Sequence, residues 1–357
     1  VGDTLSYLNA IVQVDMKEIT GRNIDWELLR GSTVLVTGAT GMLASYVVYT
    51  LMYLNQHSNL NVRVIALVRN KAKAIQKFGD FHDSDRFRLV VQDICDPLDI
   101  ADNVDYIVHA AGNASPKYIL SDPVGIIKAN TLGTMNVLEF ARRKAVRNLL
   151  FTSTREVYGQ MPECTTMILE SDYGASSWHE LRACYPESKR LAETMLEGYR
   201  YQYDIPYTLA RIAHSYGPGM NIDNDGRVMS DFISNVVNHR DIVLKSDGSA
   251  IRAFCYISDA VSGIFTILLH GENGEAYNIA NESEPMKIRD VANELVELFP
   301  ERRLKVVFDI PSQQSAGYSK IKRVKLDTRK LEELGWVCEV GLLEGMRRTV
   351  ESFLSGD

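Results

Sequence analysis

The sequence predicts an α/β protein, a doubly wound parallel sheet with a smaller C-terminal lobe. Three observations carry that prediction. The β-branched run Thr33–Thr37 enters a glycine-rich turn, and Met42–Leu54 then reads as a buried helix. Apolar runs recur at Val62–Val68, Phe87–Val91, Tyr106–His109 and Asn148–Ser153, with helical or loop segments such as Val124–Arg143 between them. At 357 residues the chain exceeds what one hydrophobic core usually organises, so a second lobe and a cleft are expected.

Taken in order, residues 1–30 hold scattered apolar positions ending in Ile24–Arg30, read as a short helix capping the next domain. Residues 31–212 carry the strand–helix alternation, closing with a helix over 186–203 and a strand at Tyr207–Ile212. Gly217-Pro218-Gly219 and the polar stretch Asn221–Gly226 then break the rhythm. Residues 213–357 are therefore assigned mostly to a smaller, substrate-facing lobe, with 255–280 a candidate to rejoin the larger domain.

Composition excludes several classes. A net charge of −7 argues against a general nucleic-acid binder, which needs a basic surface to displace counterions, but leaves room for a local basic pocket around a diphosphate. The five cysteines are odd in number, scattered and without a CxxC pair, which fits reduced thiols acting as small buried hydrophobes, and no metal site is expected. No apolar stretch reaches the roughly 18 residues of a membrane span, and no signal-peptide pattern opens the chain, so a cytoplasmic protein is expected.

The turn Thr37-Gly38-Ala39-Thr40-Gly41-Met42-Leu43-Ala44 stands directly after the first strand and opens a helix. Glycine there lets backbone approach a pyrophosphate whose charge the helix N-terminus meets. Gly38, Thr40, Gly41, Met42 and Leu43 are thus candidate dinucleotide contacts. At the end of the second strand Arg69 is compatible with three roles: accepting the extra phosphate of NADP, stacking on adenine in an NAD enzyme, or lying in solvent.

For catalysis the candidates are Tyr185 and Lys189, four residues apart and so on one helical face. A phenol with an ordinary pKa near 10 needs a neighbouring ammonium to act as a base at neutral pH. With 17 tyrosines in the chain, on the order of one chance match to this spacing is expected. Tyr318 and Lys322 supply such a decoy, whereas Tyr185 follows the strand ending Ser153-Thr154, where a hydroxyl can meet the same substrate oxygen.

The glycine turn resembles the TGxxGxxG fingerprint of extended short-chain dehydrogenase/reductases, with Ala44 in place of the last glycine. That resemblance implies a Rossmann fold, Asp93 and Ile94 as adenine contacts, and the loop of Ala110 and Ala111 along the dinucleotide, with His109 either there or in the core. Further segments resemble UDP-glucuronate decarboxylases: Ala114-Ser115-Pro116, Lys128–Thr134 with Asn130, Arg182-Ala183-Cys184-Tyr185, Asn224–Val228 and Arg252-Ala253-Phe254.

By that resemblance Thr154 holds the sugar C4 oxygen, Tyr185 takes its proton, and Lys189 tunes Tyr185 and binds the nicotinamide ribose. Glu156 is an acid/base candidate for a second stage. Asn130 and Ser153 join the cofactor set. Ser115, Thr154, Arg155, His214, Arg227, Arg252 and Arg323 join the substrate set, though the last three arginines are also compatible with a solvated surface. The family also implies a nucleotide-diphosphate sugar as substrate, NAD as cofactor with NADP open through Arg69, and a homodimer built on the dyad helix and its predecessor. Leu191, Met195, Leu196 and Tyr199 form the apolar stripe for that dimer, or for the protein's own sheet.

The departures are specific. Arg155 stands where the decarboxylases have serine and the 4,6-dehydratases an aspartate that donates a proton, which arginine does not do at neutral pH. The loop Gly174–His179 and His214 also differ from the decarboxylase pattern. Decarboxylation leads, with 4-epimerisation and dehydration behind it. A sensor or scaffold that keeps the fold without chemistry is the alternative of another class.

Overall fold

Seven parallel strands form the central sheet of the computed structural model, which describes residues 5–223, 225–310 and 324–354. They are β1 (Thr33–Thr37), β2 (Arg63–Val68), β3 (Phe87–Val91), β4 (Tyr106–His109), β5 (Asn148–Thr154), then Tyr207–Ile212 and Ala276–Ile279. Across the sheet the order is β3, β2, β1, β4, β5, Tyr207–Ile212, Ala276–Ile279. Direction of winding reverses between β1 and β4, where Thr37 lies opposite His109, and a crevice opens at their carboxyl ends.

Both faces of the sheet are covered, which is why its strands are nearly continuous hydrophobic runs. Val34, Val36, Val64 and Val108 point into one core with the helices Met42–Ser58 and Ile257–His270. Leu35, Ile65, Ile107 and Leu149 point into the other with Pro123–Lys144 and Cys184–Tyr203. Residues 255–280 therefore return to the sheet, adding its last strand and the helix before it.

Beyond the sheet, the helices Val228–Val237 and Ile288–Leu298 pack around short paired strands, Ile242–Leu244 with Val306–Phe308 and Ile251–Arg252 with Met286–Lys287. These form the far wall of the cleft.

The N-terminal segment differs from the sequence expectation. Residues 26–29 make only a single 3₁₀ turn, while the main helix spans Ala10–Gly21 and starts where the Asn9 side chain accepts from the Ile11 amide at 3.0 Å. Val12, Met16 and Ile19 are fully buried, so this helix belongs to the core and is more than a cap. Its Asp15 is also fully buried, and accepts from the Tyr46 and Tyr256 hydroxyls at 2.8 and 2.9 Å with Arg348 at 3.1 Å. Burial outweighs those three partners and pushes the Asp15 pKa up to about 7.

Two smaller expectations change. All five cysteines are free of disulfides, but only Cys255 is buried; Cys95, Cys184 and Cys338 are half-buried and Cys164 is exposed. The apolar stripe on Cys184–Tyr203 is divided: Leu196 is fully buried against the sheet, Met195 and Tyr199 pack beside it, and Leu191 is half exposed.

Candidate active site

A cleft of about 1230 Å³ runs from the glycine turn to the C-terminal lobe. Thr40, Gly41, Met42 and Leu43 line one end, Thr154, Tyr185 and Lys189 the middle, and Arg227, Arg252 and Phe254 the other. Ser115, Ser153, Arg155, Glu156, His214 and Ala110 also line it. Arg69, Asp93 and Ile94 lie outside this lining, at the ends of β2 and β3. Arg323 falls outside the described residues, as does the decoy pair Tyr318 and Lys322.

Close backbone packing shapes the first end. Gly38 has φ +63°, and a Cβ there would lie 2.7 Å from the Ala111 Cα and 2.9 Å from the Ala110 carbonyl oxygen. Only glycine lets the β1 turn approach the β4 loop this closely. Gly41 then caps Met42–Ser58 without any side-chain hydrogen bond, so the first amides of that helix stay open to an anion.

His109 is a core strut. The Thr134 hydroxyl gives its proton to the Asn130 carbonyl at 2.6 Å, so at 3.1 Å it accepts from His109 Nε2. His109 Nδ1 must then accept from Thr37 Oγ1 at 2.8 Å, and that oxygen in turn accepts the Ala110 and Ala111 amides, both at 3.2 Å. Burial, reinforced by the Lys189 charge, lowers the imidazole pKa to about 3 and keeps it neutral.

Around Gly112 the structure offers a test of cofactor fit. A Cβ at Gly112 would meet Asn130 Oδ1 at 2.8 Å and Lys189 Nζ at 3.6 Å. That Asn130 oxygen is buried without a hydrogen-bond partner among the described residues, while its amide donates to Ser188. A space bounded by an ammonium and an unsatisfied acceptor suits a ribose hydroxyl, and the residues present fit a dinucleotide.

The dyad sits where β5 ends. Tyr185 is buried and faces the Thr154 hydroxyl, which accepts from the Glu156 amide at 3.3 Å. Burial raises its pKa well above the usual phenol value, and the Glu156 charge adds to this, while Thr154, Arg227 and Arg182 pull it back. Lys189 donates to the Thr152 carbonyl at 2.8 Å and lies 4.3 Å above the Phe151 ring. Its pKa is lowered to about 7 by burial, with Glu193 acting the other way.

Other predicted residues have definite occupations. Both oxygens of Glu156 are held by Arg182, at 2.5 and 3.0 Å. Ser115 Oγ donates to the Asp225 carbonyl at 2.9 Å, and the Asp225 carboxylate pairs with Arg227. The Asp93 carboxylate accepts from the Cys95 amide at 2.9 Å, and Ile94 packs on Gly133. Arg155 Nη1 lies 3.4 Å from His214 Nε2. His214 holds φ +45°, a left-handed backbone uncommon outside glycine; it lines the cleft, with its ring 6.0 Å from that of Phe254.

The profile of the NAD dependent epimerase/dehydratase family matches residues 34–280. The chain belongs to that family. It is 35% identical to UDP-glucuronic acid decarboxylase 6 of Arabidopsis thaliana, over 90% of this chain and 88% of that one. Its identity to UDP-glucuronic acid decarboxylase 1 of Danio rerio is 34%, over 90% and 72%. Among solved structures, a UDP-glucose 4-epimerase from Thermotoga maritima with UDP-glucose matches with TM-score 0.76 at 23% identity, covering 90% of this chain and 98% of that one. A dTDP-glucose 4,6-dehydratase from Bacillus anthracis in complex with NAD matches with TM-score 0.72 at 20% identity, covering 91% and 97%. At those identities the structural likeness speaks for the fold alone. As a member of this NAD-dependent family, the chain is an enzyme.

The residue pattern alone left Arg182, Glu193 and Arg211 without roles. Glu193 had a visible signal, being one helical turn past Lys189. Arg211 had none, because only strand pairing sets it opposite Ser153.

Proposed function

We propose that this enzyme oxidises C4 of a UDP-linked uronic acid, releases the C6 carboxyl as CO2, and reduces the resulting ketone to a UDP-pentose. The observation that carries the reading is that Thr154, Tyr185 and, one turn on, Lys189 line one cleft that also holds the glycine turn. Similarity to the decarboxylases along 90% of the chain supports the choice of substrate.

The chemistry supplied by a bound NAD is a two-electron acceptor for C4 that later returns the pair. Gly38, Gly41 and the amides of Met42 and Leu43 would hold its pyrophosphate, and Asn130 and Lys189 its nicotinamide ribose. Thr154 orients the C4 hydroxyl and Tyr185 removes its proton. A ketone at C4 then accepts the electrons of the C5–C6 bond as CO2 leaves, and C5 takes a proton before the ketone is reduced. Arg227 and Arg252 suit the diphosphate. Arg155 and His214, beside Thr154, suit the sugar carboxylate, which a guanidinium can bind bidentately.

One observation favours a second reading, 4-epimerisation with the carboxylate kept. A guanidinium at position 155 stabilises the carboxylate charge that decarboxylation must move into the ring. Incubation with UDP-glucuronate and NAD separates the two by product mass and chromatography. Loss of CO2 is expected; an isomer of unchanged mass would select epimerisation; no product from any nucleotide-sugar tried would favour a non-catalytic binder. NAD is expected over NADP, since a closed redox cycle gains nothing from an NADPH pool, and a titration with both would reverse this if NADP bound tighter through Arg69.

For assembly we propose a homodimer through the exposed Val124, Ile127 and Met135 with Leu191. Light scattering that gave a monomer at micromolar concentration would remove it.

A further inference from the structure

The dyad helix meets the end of β5 at three successive residues. Tyr185 faces Thr154, Lys189 donates to the Thr152 carbonyl at 2.8 Å, and Glu193 accepts from Ser153 Oγ at 2.5 Å. Residues 185, 189 and 193 are each one turn apart, so a single stripe of the helix makes all three contacts. The third is the most heavily built. Glu193 also receives Arg211 in a fork, Nη2 at 2.6 Å and Nε at 3.1 Å, and Arg211 stands directly opposite Ser153 on the neighbouring strand. Arg211 continues to the Tyr158 hydroxyl at 3.2 Å and the Glu170 carbonyl at 2.7 Å, on the segment beyond the Thr154–Glu156 wall.

We infer that Glu193 is a positioning residue for proton transfer: it fixes the helix register against β5 and places a negative charge where it favours the proton on Lys189 over Tyr185. The inference rests on Tyr185 and Lys189 being the proton-transfer pair. Its physical basis is position, because Glu193 is one turn from the ammonium and two from the phenol. The other groups around Lys189 are uncharged: the Thr152 carbonyl that accepts from it, the Phe151 ring whose face holds the ammonium at 4.3 Å, and the neutral His109 on β4, so Glu193 is the charge that acts on it. The ionic groups near Tyr185 are Glu156, Arg182 and Arg227. Arg211 offsets part of the Glu193 charge and at the same time locks its orientation.

When two groups share a proton, the titration belongs to the pair. A nearby negative charge raises every pKa of the pair and favours the ammonium–phenolate arrangement, the form that accepts a proton from the substrate. Removing that charge moves the pair's titration to lower pH and depopulates the active arrangement.

The test is Glu193→Gln in the full chain, which keeps an acceptor for Ser153 and removes the charge. Lysine ε-carbons are labelled with ¹³C, the Lys189 resonance is assigned by its loss in Lys189→Met, and its midpoint is followed against pH with no substrate present. The expected midpoint falls by about one unit or more. The pH–rate profile with UDP-glucuronate and NAD is expected to move the same way with a lower plateau, and Glu193→Asp to recover part of both. A Glu193→Gln midpoint equal to the wild-type value, with only the melting temperature lowered, would make Glu193 a structural contact and overturn the inference. Failure of the underlying reading looks different: Tyr185→Phe would then turn over normally whatever Glu193 does.

Discussion

Two buried ionic clusters occupy opposite faces of the sheet, and they share ingredients but not exposure to the cleft. On one face Tyr185, Lys189 and Glu193 stand under the cleft, with Arg211 behind them. On the other, Asp15 is enclosed by Tyr46, Tyr256 and Arg348, which also pairs with Glu18 and Glu344. Burial drives both toward neutrality, bringing the Lys189 ammonium down to about 7 and the Asp15 carboxyl up to about 7. Lys189 and Tyr185 line a space a substrate can enter, where a shifted pKa can serve the proposed chemistry; Asp15 reaches only protein, so its shift can alter stability alone.

The largest effect is expected from Tyr185→Phe. Turnover is expected to fall roughly 10² to 10⁴-fold with NAD affinity and melting temperature nearly unchanged, read from steady-state kinetics, calorimetric NAD titration and thermal unfolding. Asp15→Ala is the mirror experiment. It leaves the Tyr46 and Tyr256 hydroxyls in the core without their acceptor, while Arg348 keeps Glu18 and Glu344, and is expected to cost about 1–3 kcal/mol in denaturant unfolding, while the folded fraction keeps its kcat. A loss of kcat without loss of stability would merge the two clusters into one.

The pH dependence sharpens the same contrast. Asp15 has a folded pKa raised above its unfolded value, so its contribution to stability is complete below about pH 4 and is lost as pH rises toward about 7. Asp15→Asn removes that titration, so the stability gap between wild type and variant should narrow across this window; a constant gap would show that Asp15 stays ionised throughout. The smallest effect is expected at the cleft wall. Arg155→Gln should raise KM for UDP-glucuronate by about tenfold and leave the inhibition constant of UDP-glucose nearly unchanged, as the loss of one charge-assisted hydrogen bond predicts. Equal changes for both sugars would detach Arg155 from the carboxylate.

Much of this protein was legible from local pattern. The β1 turn, the strand–helix alternation and the Tyr185–Lys189 spacing are short-range features, because glycine conformation, hydrophobic period and the i to i+4 geometry of a helix act within a few residues. The family resemblance extended that to Thr154 and the cleft arginines. The N-terminal helix was missed although Val12, Met16 and Ile19 carry its period, since nothing local says that this stripe will be buried against Met42–Ser58 and Leu342–Leu354.

What only the tertiary structure decided are the partnerships between distant residues: Ser153 with Glu193 and Arg211, Glu156 with Arg182, Ser115 with the Asp225 carbonyl, Arg155 with His214, and Asp15 with Tyr256 and Arg348. The sequence determined which side chains could carry charge and on which helical face they stand. Their occupations depend on strand order, on register such as Ser153 opposite Arg211, and on the burial that sets the strength of each charge, and these exist only once the sheet has closed.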